Sequence, residues 1–177
     1  FVVSRSLRIA GDEMDQEIIQ FARNKYNLLI GERTAEKIKM AVGSAYPLRE
    51  ERTFTMRGRN LVSGLPEAVE VSSIEIRGAI AGSVSTIVET VKEAIDETPP
   101  EIISDLMETG IAMAGGGSQL LGFPERLSDE LKMRVWLAED SMSCVARGAG
   151  MILEDLDVYK RFLVGLQRGS TSGAYSR

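Results

Sequence analysis

The sequence predicts an α/β protein, and three observations carry that prediction. Short apolar runs of strand type alternate with amphipathic helical stripes. No long linker or internal repeat interrupts them, and a glycine-rich turn leads from one such strand into a helix. That turn is the most informative stretch of the chain. Residues 111–114 are a brief apolar run, Gly115, Gly116 and Gly117 come next without a Cβ, and Ser118 stands where it can cap the next helix. A ligand can lie directly against such a backbone, with first-turn amides as an anion or dipole site. A tight turn without a ligand uses glycine in the same way, so the run alone leaves both readings open.

Residues 1–4, at the start of the chain, are apolar with no turn before them and predict a strand cut from a longer chain. Residues 12–25 predict a helix, with Met14, Ile18, Phe21 or Ala22, and Lys25 along one stripe. A second helix spans 32–42, with Thr34 as the expected N-cap and Ile38, Ala41 and Val42 as its apolar face. Glu36 and Lys39 are three apart and stack on one side of it. There a carboxylate can accept from ribose hydroxyls while a lysine stem covers a purine ring. The same spacing also suits an ordinary surface pair worth about 0.2–0.5 kcal/mol.

Residues 52–60 and 67–72 predict strands of a small sheet, turning through 63–66. Ser72 and Glu75 then form a capping box. It opens a long helix to about residue 97, with Ile76, Ile80, Val84, Ile87 or Val88, Val91 and Ile95 at helical spacing. Pro99 and Pro100 stop that helix and start the next, since proline suits a first helical position. Beyond the glycine turn come a helix around 123–132, a strand at 134–138 and a last helix at 143–153. From Gln167 onward the Gly/Ser/Thr-rich composition predicts disorder.

Composition removes several classes of function. The net charge is −5 with no basic block, which argues against nucleic acid as a partner and offers no polybasic membrane anchor. No histidine is present and there is a single cysteine, Cys144, so a zinc cluster and a Ser-His triad lack their side chains. Cys144 in an Ala/Gly-rich helix reads as a small buried hydrophobe, which fits a reducing, cytoplasmic setting. No apolar run approaches the ~18 residues needed to span a bilayer, and no signal peptide is visible.

With these pieces placed, the chain resembles the C-terminal half of the MreB family, the bacterial actin-like cytoskeletal ATPases. Four segments carry the resemblance in order. They are Ser4-Arg-Ser-Leu-Arg-Ile-Ala-Gly-Asp-Glu-Met-Asp15, the stretch from Lys25 through Tyr26-Asn-Leu-Leu-Ile-Gly31 to Lys39, the Gly115 to Ser118 loop, and Cys144-Val-Ala-Arg-Gly-Ala-Gly150. The Hsp70 chaperones and sugar kinases share the wider fold and form the alternative reading. One departure from the Hsp70 pattern is visible: where those relatives carry a serine four residues after the helix lysine, this chain has Gly43.

The resemblance implies an actin-like, ribonuclease H-like ATPase half. A larger α/β lobe at 1–22 and 83–165 would carry a small α+β insert at 23–82, with a disordered tail at 166–177. ATP would sit in the cleft between lobes, its adenosine held by Glu36, Lys37, Ile38 and Lys39 on one side and Gly115, Gly116, Gly117 and Ser118 on the other. Gly11, expected after a second strand, would be a close backbone contact. The phosphate loops, the carboxylate that positions Mg2+ and the water-orienting acid are assigned to a segment preceding Phe1. No catalytic or metal-binding residue is therefore expected here, and these residues alone should bind ATP weakly and not hydrolyse it. The complete protein is expected to be a slow, magnesium-dependent ATPase. It would polymerise head to tail, lie at the inner face of the cell membrane through its other half, and work with the membrane-bound cell-wall synthesis machinery to maintain rod shape. The longitudinal contact is expected near 49–66, where Arg49, Arg52, Arg57 and Arg59, with nearby Arg33, gather positive charge.

Overall fold

A computed structural model of the protein describes residues 2–159. The tail expected from Gln167 and the end of the larger lobe at 165 lie outside the described residues. Residues 2–10 run without strand or helix, and no backbone of the described residues pairs with 2–9. The strand expected at 1–4 is therefore not formed across its described part, because a strand needs a neighbour to hydrogen-bond. Gly11 comes after no strand either: it is the first residue of helix α1 (Gly11–Tyr26).

Helix α1 has Asp12 and Glu13 in its first turn and Arg23 and Lys25 in its last, both favourable to the helix dipole. Asn27 ends it in the left-handed conformation at φ 51°, its N–H returned to Ala22 and Arg23. Met14, Ile18 and Ala22 are buried, so the stripe resolves to Ala22. Lys25 leaves the core to meet Glu75 at 2.5 Å. Two residues, β1 (Leu28–Leu29), then form a strand too short to show periodicity. Helix α2 (Glu32–Val42) buries Ala35, Ile38 and Val42. Its N-cap is Gly31, with no side-chain cap, and the expected cap Thr34 lies inside the first turn, its N–H donating to the Gly31 carbonyl.

Strands β2 (Thr53–Asn60) and β3 (Pro66–Ser72) complete an antiparallel sheet of order β1-β2-β3. Register pairs Phe54 with Val71 and Met56 with Val69, and Met56 and Val71 are fully buried. The capping box forms as the sequence predicts: Ser72 Oγ accepts from the Glu75 amide, and the Glu75 carboxylate accepts from the Ser72 amide. The helix it opens is not continuous. It divides into α3 (Ser73–Ala79) and α4 (Ala81–Asp96) at Ile80, whose φ −94° and ψ 5° leave the helical region. Gly78 and Gly82, both poor helix formers, flank that bend. The apolar stripe survives it, since Ile76, Ile80, Val84 and Val88 are all buried.

Helix α5 (Pro100–Thr109) starts at Pro100 and leads into β4 (Ile111–Met113). After the glycine turn, α6 (Phe123–Leu131) carries the chain over to β5 (Val135–Leu137), which pairs parallel to β4. Helices α7 (Cys144–Glu154) and α8 (Leu156–Tyr159) close the described chain. Cys144 is only half-buried, not the core hydrophobe expected of it, because none of α7 is buried; its thiol faces the Glu139 and Asp140 carbonyls. No helix among the described residues is long and apolar enough to cross a membrane.

One apolar cluster spans both sheets, from Ile18, Ile38 and Met56 to Leu120, Phe123 and Leu127. The two parts also meet through backbone. Ala45 donates its N–H to the Leu121 carbonyl at 2.7 Å, beside a parallel bridge of Ser44 with Leu121.

Glu75 joins α1 to the start of α3, accepting from Lys25, from the Tyr26 hydroxyl at 2.6 Å and from Ser72. These donors, led by Lys25, lower its pKa from 4.5 to about 2. A depressed carboxylate contributes stability above its unfolded pKa and loses it as pH falls through the folded one. Chemical denaturation as a function of pH should therefore show stability declining between 4.5 and about 2, and Glu75→Gln should flatten that part of the profile.

Candidate functional site

Glu36, Lys39, Gly116 and Gly117, with Gly11, gather at a cleft of about 350 Å³ between α2 and the glycine turn. A larger groove of about 550 Å³ lies between residues 2–9 and α4 and α5, but its walls are mostly aliphatic, with Arg5, Thr90 and Thr98 as the polar residues. Chemistry-bearing groups belong to the smaller one. Glu36, Lys39, Met40 and Gly43 from α2 and its end form one wall, and Gly116, Gly117 and Gln119 the other. Gly11 and Met14 of α1 contribute as well, with Leu120, Leu121 and Met142. The volume falls within the ~300–1,000 Å³ usual for small-molecule sites, and an apolar lining with a few polar groups is the usual composition.

The two motifs do come together, with four differences in detail. Ile38 is fully buried in the core and Lys37 is exposed without lining the cleft, because only one side of a helix can face it. Gly115 and Ser118 lie in the turn yet do not line the cleft. Gly115, at φ 87°, makes the reversal, its N–H donating to the Ser141 carbonyl at 2.7 Å. Ser118 caps no α-helix. It sits in a single 3-10 turn (Gly116–Gln119), buried, with its hydroxyl donating back to the Gly115 carbonyl at 2.5 Å. The helix expected to present its first-turn amides at the loop begins only at Phe123, after Gly122 in the left-handed conformation. Three glycines in succession disfavour a regular helix, so the chain tightens into a 3-10 turn first.

Lys39 also behaves otherwise than its place on the helix suggests. Its ammonium turns to α1, donating to Asp15 Oδ2 and to the Gly11 carbonyl, each at 2.9 Å. Both side chains of the ion pair are nearly shut off from water. Burial lifts the Asp15 carboxyl above the ordinary carboxylate range, and the contact with Lys39 offsets this only in part. Asp15 Oδ1 has no hydrogen-bond partner. Motif resemblance does not single out Asp15, yet the sequence carries a signal for it. It lies beside Met14 and three residues before Ile18, and a carboxylate on the buried side of an amphipathic helix requires a partner.

Gly43 accounts for the departure from the Hsp70 pattern. A Cβ at this buried position would stand 2.4 Å from the Lys39 carbonyl oxygen, so a side chain enters only if the backbone shifts.

The architecture is that of an actin-like fold, as its likeness to solved structures shows. Among solved structures, MreB5 of Spiroplasma citri bound to ADP superposes with a TM-score of 0.85 at 35% identity, over 90% of this chain and 49% of that one. The same protein bound to AMPPNP matches with a TM-score of 0.84 over 92% of this chain. The MamK double helical filament, at 21% identity and a TM-score of 0.71, shares the fold. The family described as MreB/Mbl protein matches residues 1–161, and the chain belongs to that family. It is 42% identical to the cell shape-determining protein Mbl of Bacillus subtilis over 156 residues, 88% of this chain and 47% of that protein. It is 44% identical to the cell shape-determining protein MreB of Escherichia coli K12 over 158 residues, 89% of this chain and 46% of that protein. The chain thus spans about half the length of the curated relatives it matches.

Removing Asp15 would leave the largely buried Lys39 ammonium without its counter-charge, with only the Gly11 carbonyl to accept from it, so Asp15→Ala should cost about 3 kcal/mol in chemical denaturation. The double variant Asp15→Ala/Lys39→Met should recover part of that loss, since it buries no charge. Gly43→Ser should destabilise by about 1–3 kcal/mol, read as a lower melting temperature, because the backbone must shift to admit the side chain.

Proposed function

We propose that this chain is the adenosine-gripping half of an MreB-type cytoskeletal protein that binds ATP and polymerises. The observation that carries the reading is the meeting of the Glu36 and Lys39 side of α2 with Gly116 and Gly117 across one cleft. The structures of MreB5 bound to AMPPNP and to ADP support it, since they share the fold at 34% and 35% identity. On this reading Glu36, exposed at the rim, accepts from the ribose hydroxyls, and the loop backbone at Gly116 and Gly117 approaches the nucleotide. Lys39 acts differently from a simple cover for the base, because its ammonium is committed to Asp15 and Gly11. No residue of this chain is assigned to Mg2+ or to hydrolysis. Residues 23–82 are read as the smaller lobe and residues 1–22 and 83–165 as the larger one.

Self-association is proposed through the β2–β3 hairpin. Leu61, Val62 and Leu65 at its tip are exposed, Val62 by 83%, and Arg57 and Arg59 project from β2. Exposed aliphatics beside cations suit a contact with an acidic surface on a second copy, and a heterologous contact propagates into a filament. Such filaments would lie at the inner face of the cell membrane and guide cell-wall synthesis in rod-shaped cells.

Glu36→Ala offers the cleaner test, because Lys39→Ala would also break the buried pair. In calorimetric titration with ADP, the wild-type chain should bind with Kd on the order of 1 mM. Glu36→Ala should bind about tenfold more weakly with an unchanged melting temperature. Equal affinity in both proteins would remove Glu36 from the site. Sedimentation at full cellular length should show ATP-dependent pelleting that is lost in Arg57→Glu/Arg59→Glu.

A further inference from the structure

Where α3 passes into α4 the chain carries a glycine that nothing around it requires. Gly78 is not in the left-handed region, and a Cβ there would meet no atom within 4 Å. Glycine inside a helix is less stable than alanine, so at an open position it adds backbone freedom and nothing else. Two residues on, Ile80 leaves the helical region at φ −94° and ψ 5°, although it is fully buried. Its N–H still donates to the Ile76 carbonyl and its carbonyl still accepts from Val84, each at 3.1 Å, so the bend keeps these bonds.

The second glycine at the bend has a close neighbour. Glu17 of α1 places its Oε1 3.2 Å from where a Cβ at Gly82 would stand. Its Oε2 is buried with no hydrogen-bond partner among the described residues. Helix α4 starts there with no side-chain cap and no acidic residue in its first turn. A carboxylate is attracted to such a helix start, yet this one is pressed against the glycine with one oxygen unsatisfied. A small turn of α1 away from α4 relieves that cost.

From α1 to α3 the chain is tied into one piece. Asp15 and Lys39 join α1 to α2, Lys25 and Tyr26 join α1 to Glu75 of α3, and Arg77 of α3 holds Ser44, Tyr46 and Glu51. Toward the rest of the chain, the backbone contacts of Ser44 and Ala45 both fall on Leu121. Contacts with a single residue fix a point and leave an orientation free.

We propose that the bend at Gly78, Ile80 and Gly82 is a hinge. On it the unit of α1, α2, the small sheet and α3 turns about the contact with Leu121 and changes the width of the cleft. Glu17 is the stop, limiting the turn where its carboxylate meets Gly82. The hinge belongs to the fold and does not depend on the nucleotide reading of the cleft.

The test places spin labels at Lys37→Cys on α2 and Glu125→Cys on α6, both exposed, in a Cys144→Ser background of the full chain. Double electron-electron resonance then reads the distance across the hinge. With no further change, the labelled chain should give a broad or two-component distribution. Adding Gly78→Ala should raise the melting temperature and roughly halve the width of that distribution. Adding Glu17→Ala should widen it, with distances that the chain with Glu17 does not reach. A single narrow distance with Gly78 in place, or an unchanged distribution in Gly78→Ala despite its higher melting temperature, overturns the hinge. An unchanged distribution in Glu17→Ala overturns the stop.

Discussion

The cleft depends on one join between distant parts of the chain. Where α2 ends, Ala45 donates its N–H to the Leu121 carbonyl at 2.7 Å, and Ser44 bridges to the same residue. That contact brings the end of α2 beside the end of the glycine turn and sets the separation of the walls. It is reinforced from both sides. The Arg77 guanidinium of α3 donates to Ser44 Oγ at 3.0 Å and to the Tyr46 carbonyl at 3.2 Å, and the Tyr46 hydroxyl donates to Asp129 of α6 at 2.8 Å. Buried backbone groups must be paired, so a shift of either wall would strand several polar atoms at once.

The second constraint is the Lys39 ammonium, which ties α2 to the start of α1. A buried ion pair is weak as a source of net stability, because desolvation consumes most of the attraction. Its effect is geometric. With Ile38 in the core and Lys39 clamped to Asp15, α2 cannot rotate about its axis, and Glu36 and Met40 are held toward the cleft. The helix thus does two jobs with neighbouring residues, one side packing and the adjacent side facing the cleft.

Legibility of the fold tracks the range of the interactions that decide each element. The Ser72 and Glu75 capping box forms as read because all its atoms lie within one turn. The pairing of α2 with the glycine turn is legible through motif resemblance, and periodicity alone would not have joined them. Lys37 and Ile38, carried along by the motif, lie on sides of the helix that do not line the cleft. Strand β1 is too short for any pattern and exists because β2 pairs with it, Leu28 against Asn60. The bend at Ile80 and the 3-10 turn at Ser118 arise where glycine removes the local preference and packing chooses.

By itself the sequence determined the class of fold, most element positions, and the two motifs that face the cleft. These come from periodicity, caps and glycine placement, which act between residues a few positions apart. Tertiary structure alone decided that Lys39 turns inward to Asp15, that Ser118 closes back on Gly115, and that Met40 and Met142 line one cleft. Each of those depends on which side chains or carbonyls happen to be near once the chain has packed. A buried ammonium takes the partner that relieves its desolvation, and no spacing rule within one helix names that partner.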